Sequence, residues 1–263
     1  MKFKLKIDNF SLKDTLLCGQ CFRFSIIDSN CFLVFAGSNS SIITQEKNTL
    51  IFKHSTCQID FWKNYFDITT NYTKLLDNFN GDKILEKAKS ICGGIRILRQ
   101  DPWETLISFI ISANNNIPRI QGIIDRLCSI FGEQIKNGFS FPTAKELKNC
   151  TESDLSVLKA GFRTRYIIDA IKKVNSREIN LDSLYKMNSI SSKEKLMQIC
   201  GVGNKVSDCI LLFAYHKMES FPIDVWIKKA LKEYYPNGLS KQVLTCPGLA
   251  QQLLFYSKRN KYI

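Results

Sequence analysis

No run in this sequence of 263 residues reaches the roughly 18 to 20 consecutive apolar positions that a bilayer-spanning helix needs. The opening MKFKLKIDNF alternates charge with hydrophobe and lacks both a continuous apolar core and a small-residue cleavage site, which excludes a signal peptide. The expectation is a soluble protein that stays inside the cell, cytoplasmic and nucleoid-associated if its source is prokaryotic. Ten cysteines are present, but the patterns that would give them work are missing. Cys18 and Cys21 form one C-x2-C pair with no second pair facing it at zinc spacing. The C-terminal third lacks the four-cysteine set of an iron–sulfur cluster. Without a secretion signal, disulfides are not expected either, and the cysteines read as small buried hydrophobes. No metal site follows from them. Internal repeats, linkers and low-complexity tracts are also absent. Acidic residues are in deficit, 24 against 37 Lys and Arg, for a formal charge of +13. That surplus favours a polyanion through counterion release, nucleic acid foremost. It equally fits a lysine-rich protein from an AT-rich genome.

What is present is a globular composition, with 44% of residues hydrophobic. The first sixty residues read as strands: KFKLKI, CFRFSI, CFLVFAG, SIITQ and TLIFKH are short, β-branched or aromatic, and separated by polar turns. From about Phe61 the apolar period becomes helical and remains so. Asp101, Pro102 and Glu104 form a capping box with proline at the first helical position. The helix PWETLISFIISA then meets the turn Asn114–Asn116, and a second helix follows with Pro118 in its first turn. The fold class is α+β: an antiparallel β domain over residues 1–84 and an all-helical body over residues 85–263.

The stretch QICGVGNKVSDCILL joins two helical runs at Gly201, Val202 and Gly203. The glycines permit a tight turn and close approach of another molecule, and a helix starting near Asn204 would present free N–H groups to an anion. A plain helix–turn–helix corner, with the glycines serving only packing, satisfies the same pattern. Lys205 adds information, because a cation in a first helical turn opposes the helix dipole. Dipole and partial burial favour the neutral amine, a nucleophile able to form a Schiff base with a sugar aldehyde carbon. Asp224, after Pro222 and before an amphipathic helix, reads as an N-cap. A carboxylate there could also steady a cationic sugar and shuttle protons.

Helix, G-V-G hairpin, lysine, proline and aspartate together resemble the helix-hairpin-helix DNA glycosylases of base excision repair. The likeness is stronger still to the 8-oxoguanine DNA glycosylase/AP lyases of the eukaryotic type. LLCGQCFRF, GIRILRQDPWETLISFIISANNNIPRIQGIIDRLCSIFG, GFRTRY, CGVGNKVSDCI and FPIDVW look like that family's segments, in its order. The resemblance runs from about Thr15 to Phe255. It implies an N-terminal domain like half of a TATA-box-binding protein, packed on the helical core. It also implies excision of 8-oxoguanine from duplex DNA through a lysine Schiff base, followed by β-elimination.

Carried over residue by residue, the family's catalytic lysine and aspartate fall on Lys205 and Asp224. Its base pocket maps onto Gly19, whose carbonyl would accept the N7–H that 8-oxoguanine has and guanine lacks. Cys209 and Phe255 would sandwich the extruded base, and Gln251 would read its Watson–Crick edge, with Gln252 the alternative if the register slips by one. Asn114 would fill the space left in the duplex and Phe162 would act as the wedge, where the family usually has tyrosine. Arg119 and Arg163 would recognise the orphaned cytosine. Two residues after the aspartate, where the family often has a phosphate-contacting histidine, this chain has Trp226. The implied partner is double-stranded DNA containing 8-oxoguanine, bound by a monomer with no membrane association. The chemistry requires no cofactor and no metal, although a mono- or divalent cation could bridge hairpin carbonyls and phosphate. Two readings compete: another helix-hairpin-helix glycosylase specificity, or a non-catalytic DNA-binding module in which Lys205 only neutralises phosphate.

Overall fold

Five short runs of alternating or β-branched residues become one antiparallel sheet in the computed structural model, which describes residues 1–263. Strands β1 (Phe3–Lys6), β2 (Phe24–Asp28), β3 (Cys31–Ala36), β4 (Asn39–Glu46) and β5 (Thr49–Lys53) lie in the order β1-β5-β4-β3-β2. Each corresponds to a run read from the sequence, although CFRFSI becomes strand only from Phe24. Along β3, Phe32, Val34 and Ala36 are buried while their neighbours are half-buried, the period of a sheet covered on one face. That face packs against α2 (Ile59–Tyr65), where the Trp62 ring lies 5.8 Å from Phe52 and 6.0 Å from Phe66.

The all-strand reading of the first sixty residues needs one correction. Helix α1 (Leu12–Leu17) interrupts them, with the Ser11 hydroxyl capping the Asp14 N–H. Leu12 and Leu16 are fully buried in the sheet's core, so packing rather than propensity stabilises this helix of 6 residues.

The helical body comprises α3 (Tyr72–Asp77), α4 (Lys83–Cys92), α5 (Pro102–Ser112), α6 (Ile117–Phe131), α7 (Arg163–Asn175), α8 (Ser189–Leu196), α9 (Asn204–Phe213), α10 (Val225–Tyr234), α11 (Lys241–Thr245) and α12 (Pro247–Arg259). Helix starts follow the sequence signals. The Asp101 carboxylate accepts from the Glu104 N–H at 2.8 Å, and Asn116 accepts from the Arg119 N–H at 3.0 Å. Helix α5 is buried almost all round and packs on α6, α7 and α9. Packing in the helical core reaches back across residue 85: Cys18, Phe22, Tyr72, Leu76 and Phe79 belong to it. No helix is long and apolar enough to cross a membrane.

Two polar side chains bolt the segment Cys18–Arg23 to the helical body. Buried Gln20 donates to the Thr15 and Arg96 carbonyls at 2.9 and 2.8 Å and accepts from the Leu98 N–H at 2.9 Å. Arg23 Nη1 lies 3.0 Å from Glu104 Oε2 and donates to the Gly37 carbonyl at 3.0 Å, while Nη2 donates to Phe139 at 2.7 Å. Glu104 Oε2 also accepts from the Gly37 N–H at 2.7 Å, so the pair is satisfied on both sides. The loop carrying Gly19 is thereby fixed against α5.

Candidate active site

Helices α8 and α9 meet at the G-V-G turn, and α9 begins at Asn204 as its sequence suggests. The two glycines have different reasons to be there. Gly201 has φ +82°, and a Cβ on it would stand 2.4 Å from the Tyr166 ring, so packing and backbone both demand glycine. Gly203 is extended at φ −99°, exposed, and has open space where a Cβ would be. No side chain caps α9, whereas Asp or Asn caps α4, α5, α6, α8 and α10. The open N-terminus of α9 is therefore free to receive an anion. Val202 between the glycines is buried, its N–H held by the Ile199 carbonyl at 3.0 Å.

Lys205 follows in the first turn, half-buried, with Nζ 5.1 Å from the centre of the Phe109 ring. Phe109 comes from α5, is 2% exposed, and stacks on Phe213 of α9 at 5.4 Å. The amine thus rests on a rigid aromatic floor instead of reaching into bulk water. Asp224 caps α10: Oδ1 accepts from the Trp226 and Ile227 N–H groups at 3.0 and 2.8 Å. This leaves Oδ2 without a cap bond, so one carboxylate can both fix a helix start and face a reaction.

Six of the residues singled out by the sequence line one cavity of about 60 Å³: Gly19, Lys205, Cys209, Asp224, Gln251 and Phe255. Cys18, Phe109, Phe213, Pro222 and Gln252 complete its walls. That is a narrow space for a purine base. Phe255 is what narrows it. Its Cε1 lies 3.2 Å from where a Gly19 Cβ would stand, and Gly19 itself has φ +78°. Cys209 is buried, and burial pushes its thiol up to about 11 despite the nearby Lys205 charge. It is therefore a neutral thiol near pH 7, able to pack against an aromatic face. Gln251 donates to the Pro222 carbonyl at 3.0 Å and accepts from Gln252 at 2.8 Å, while Gln252 Oε1 is buried with no partner. Both amides therefore border the cavity.

The remaining candidates cluster on the rim of two neighbouring loops. Asn114 is exposed in the α5–α6 turn with φ +50°, a conformation asparagine tolerates better than most residues. Phe162 is 48% exposed, and Arg119 is exposed at the start of α6. Arg163 differs from them in being 2% exposed. Its Nε and Nη2 donate to the Ala113 carbonyl at 2.9 and 2.6 Å, Nη2 also to Asn114 at 2.7 Å, and Nη1 to Ala160 at 3.1 Å. Its guanidinium stacks 4.4 Å from the Phe162 ring centre. Arg163 thus ties Asn114 and Phe162 together and retains one of a guanidinium's five N–H groups. Trp226 is half-buried at the start of α10 with Lys229 Nζ 4.7 Å over its ring.

Comparison with known proteins places these features in a family. Residues 2–106 match the family described as 8-oxoguanine DNA glycosylase, N-terminal domain. Residues 107–243 match the HhH-GPD superfamily of base excision DNA repair proteins. Over 198 residues, 68% of this chain, it is 38% identical to an N-glycosylase/DNA lyase of Saccharomyces cerevisiae. The chain spans about half that relative's length, 52%. The structure of MBOgg1 with a low-affinity DNA ligand aligns with TM-score 0.92 and 35% identity, covering 100% of this chain and 96% of that one. The Clostridium acetobutylicum 8-oxoguanine glycosylase/lyase, in complex with DNA containing cytosine opposite 8-oxoG, aligns with TM-score 0.90 and 33% identity, covering 100% and 99%.

Proposed function

Since this chain belongs to the HhH-GPD superfamily of base excision DNA repair proteins and carries the 8-oxoguanine DNA glycosylase N-terminal domain, we propose that it removes 8-oxoguanine from duplex DNA and cleaves the strand at the resulting abasic site. The observation that carries this reading is the cavity: an amine and a thiol from α9, a carboxylate from the start of α10, and two amides and an aromatic ring from α12 border one space. A DNA-coating module would have no need of that convergence.

In the proposed reaction the 8-oxoguanine nucleotide leaves the stack and enters between Cys209 and Phe255, which requires Phe255 to move off Gly19. Neutral Lys205 Nζ attacks C1′ as the bond from C1′ to the base breaks, and the departing base takes up a proton. Asp224 steadies the positive charge that develops on the sugar and accepts the proton lost from Nζ. Ring opening gives the Schiff base. A proton then passes from C2′ to water, the C3′–O bond breaks with the 3′ phosphate as leaving group, and hydrolysis of the imine releases Lys205 from the cleaved strand. The hairpin N–H groups of Gly203 and the α9 start would hold phosphate, and the surplus of positive charge would draw in the duplex. Asn114 would enter the vacated space with Phe162 as wedge. Arg119 and the remaining N–H of Arg163 would favour cytosine as the opposite base.

Borohydride trapping tests the proposal. Wild-type protein mixed with an 8-oxoguanine duplex should give a covalent adduct, and Lys205→Gln should give none while still binding the duplex. Adenine opposite the lesion should slow adduct formation. No adduct from the wild type would leave only a DNA-binding role.

A further inference from the structure

One charged group behind the pocket wall, packed on Phe255, has no task in the reaction as proposed: Arg259, the last residue of α12. Its guanidinium lies 5.1 Å from the Phe255 ring centre and 5.8 Å from that of Tyr256. Nη2 donates to the Leu17 carbonyl, at the end of α1 two residues before Gly19. Nη1 is sealed from solvent and has no acceptor. It lies 3.5 Å from where a Gly19 Cβ would stand, beside the two residues that close the cavity. A buried N–H on a cation left without an acceptor is destabilising, and its place next to Gly19 suggests what would satisfy it.

We infer that Arg259 is a specificity residue that donates its Nη1–H to the C8 carbonyl oxygen of the extruded base. The inference rests on the 8-oxoguanine reading above. The lesion differs from guanine at two adjacent atoms: N7 carries a hydrogen and C8 carries an oxygen. The Gly19 carbonyl answers the first difference. A donor beside it answers the second, so acceptor and donor together match the lesion's amide-like edge. Undamaged guanine presents a lone pair to the carbonyl and a C–H to the guanidinium, and neither contact forms. The bond to Leu17 keeps Arg259 next to Gly19 while Phe255 slides aside.

The test uses Lys205→Gln protein, which binds without cleaving, and two duplexes with cytosine opposite the variable base. One carries 8-oxoguanine. The other carries 9-deazaguanine, which offers the N7–H but has hydrogen at C8. For a charge-assisted hydrogen bond, 8-oxoguanine should bind about tenfold tighter. Adding Arg259→Met should weaken 8-oxoguanine binding alone and reduce the ratio to about twofold or less. Arg259→Lys, which keeps the charge but not the planar donor pair, should also narrow it, and serves if the methionine variant does not fold. An unchanged ratio, or equal loss on both duplexes, overturns the inference. The two claims fail separately: absence of a borohydride adduct from wild type sinks the reaction, whereas an adduct with an unchanged ratio sinks only the role of Arg259.

Discussion

Phe109→Leu tests whether the aromatic floor beneath Lys205 positions the amine. Nζ sits 5.1 Å from the ring centre, and the ring is 2% exposed and held rigidly in the core. If the ring orients Nζ during attack, its loss should slow the chemical step by about 10- to 100-fold, since a misplacement on the order of 1 Å costs about 100-fold. Leucine keeps most of the volume, so repacking should cost no more than about 1.5 kcal/mol. Lost ring pairs with Phe22 and Phe213, at 5.6 and 5.4 Å, add to that cost. The assay is single-turnover borohydride trapping at saturating protein, with DNA affinity measured separately. Phe22→Leu is the control, because it removes one of the same ring pairs without touching Lys205. It should lower the melting temperature and leave the trapping rate unchanged. A Phe109→Leu protein that melts earlier yet traps as fast as wild type would refute the positioning argument.

The two hairpin glycines and one buried carboxylate give further outcomes. Gly203→Ala should leave thermal stability near wild type, since no atom stands within 4 Å of the new Cβ, but should weaken DNA binding by crowding the phosphate. Gly201→Ala should destabilise the fold by about 1–2 kcal/mol from left-handed strain alone, before the clash with Tyr166, as a thermal melt would show. Equal stability for both variants would mean that the glycines are not divided between packing and contact. Asp67 is fully buried and receives Thr70 Oγ1 at 2.9 Å, Tyr72 Oη at 3.0 Å and Arg99 Nε at 2.8 Å, with His216 Nε2 at 3.0 Å. Burial alone would raise its carboxyl, but His216, Arg99 and Thr70 outweigh burial and hold it well below the usual carboxylate range. Its stabilising contribution is therefore complete above the unfolded value of about 4 and disappears as pH falls towards the folded one. Asp67→Asn should cost about 3 kcal/mol at pH 7 in urea melts, and the gap should shrink below about pH 4. A gap independent of pH would remove the charge from the explanation.

The residues that resembled a known reaction were legible because their chemistry is unusual for their positions. A cation in a first helical turn and an aspartate after proline both stand out. Phe109 did not stand out, because PWETLISFIISA is apolar nearly throughout and any of its aromatic or aliphatic positions would read as core. Arg259 was hidden for another reason: a basic residue in a last helical turn is what the helix dipole favours anyway. Helix α1 was missed because its 6 residues are fewer than two turns, too few for a period to show. Arg163 was legible as a guanidinium but not as a buried one. Its partners are main-chain carbonyls of Ala113, Asn114 and Ala160, and carbonyls leave no mark in the sequence.

The same limit explains why the shut state of the cavity could not be read from the sequence. Its walls come from the loop at Gly19, from α5, from α9, from the start of α10 and from α12, segments spread from residue 18 to residue 255. Their distances are set elsewhere. Gln20 and Arg23 fix the loop to Leu98 and Glu104, while Phe109 and Phe213 fix α5 to α9. Only Phe255, half-buried and resting on a glycine and a guanidinium, lacks such an anchor. The cavity therefore has rigid walls on every side but one, which can move. The movable wall is the ring that would lie against the base face opposite Cys209, so entry and stacking would depend on the same side chain.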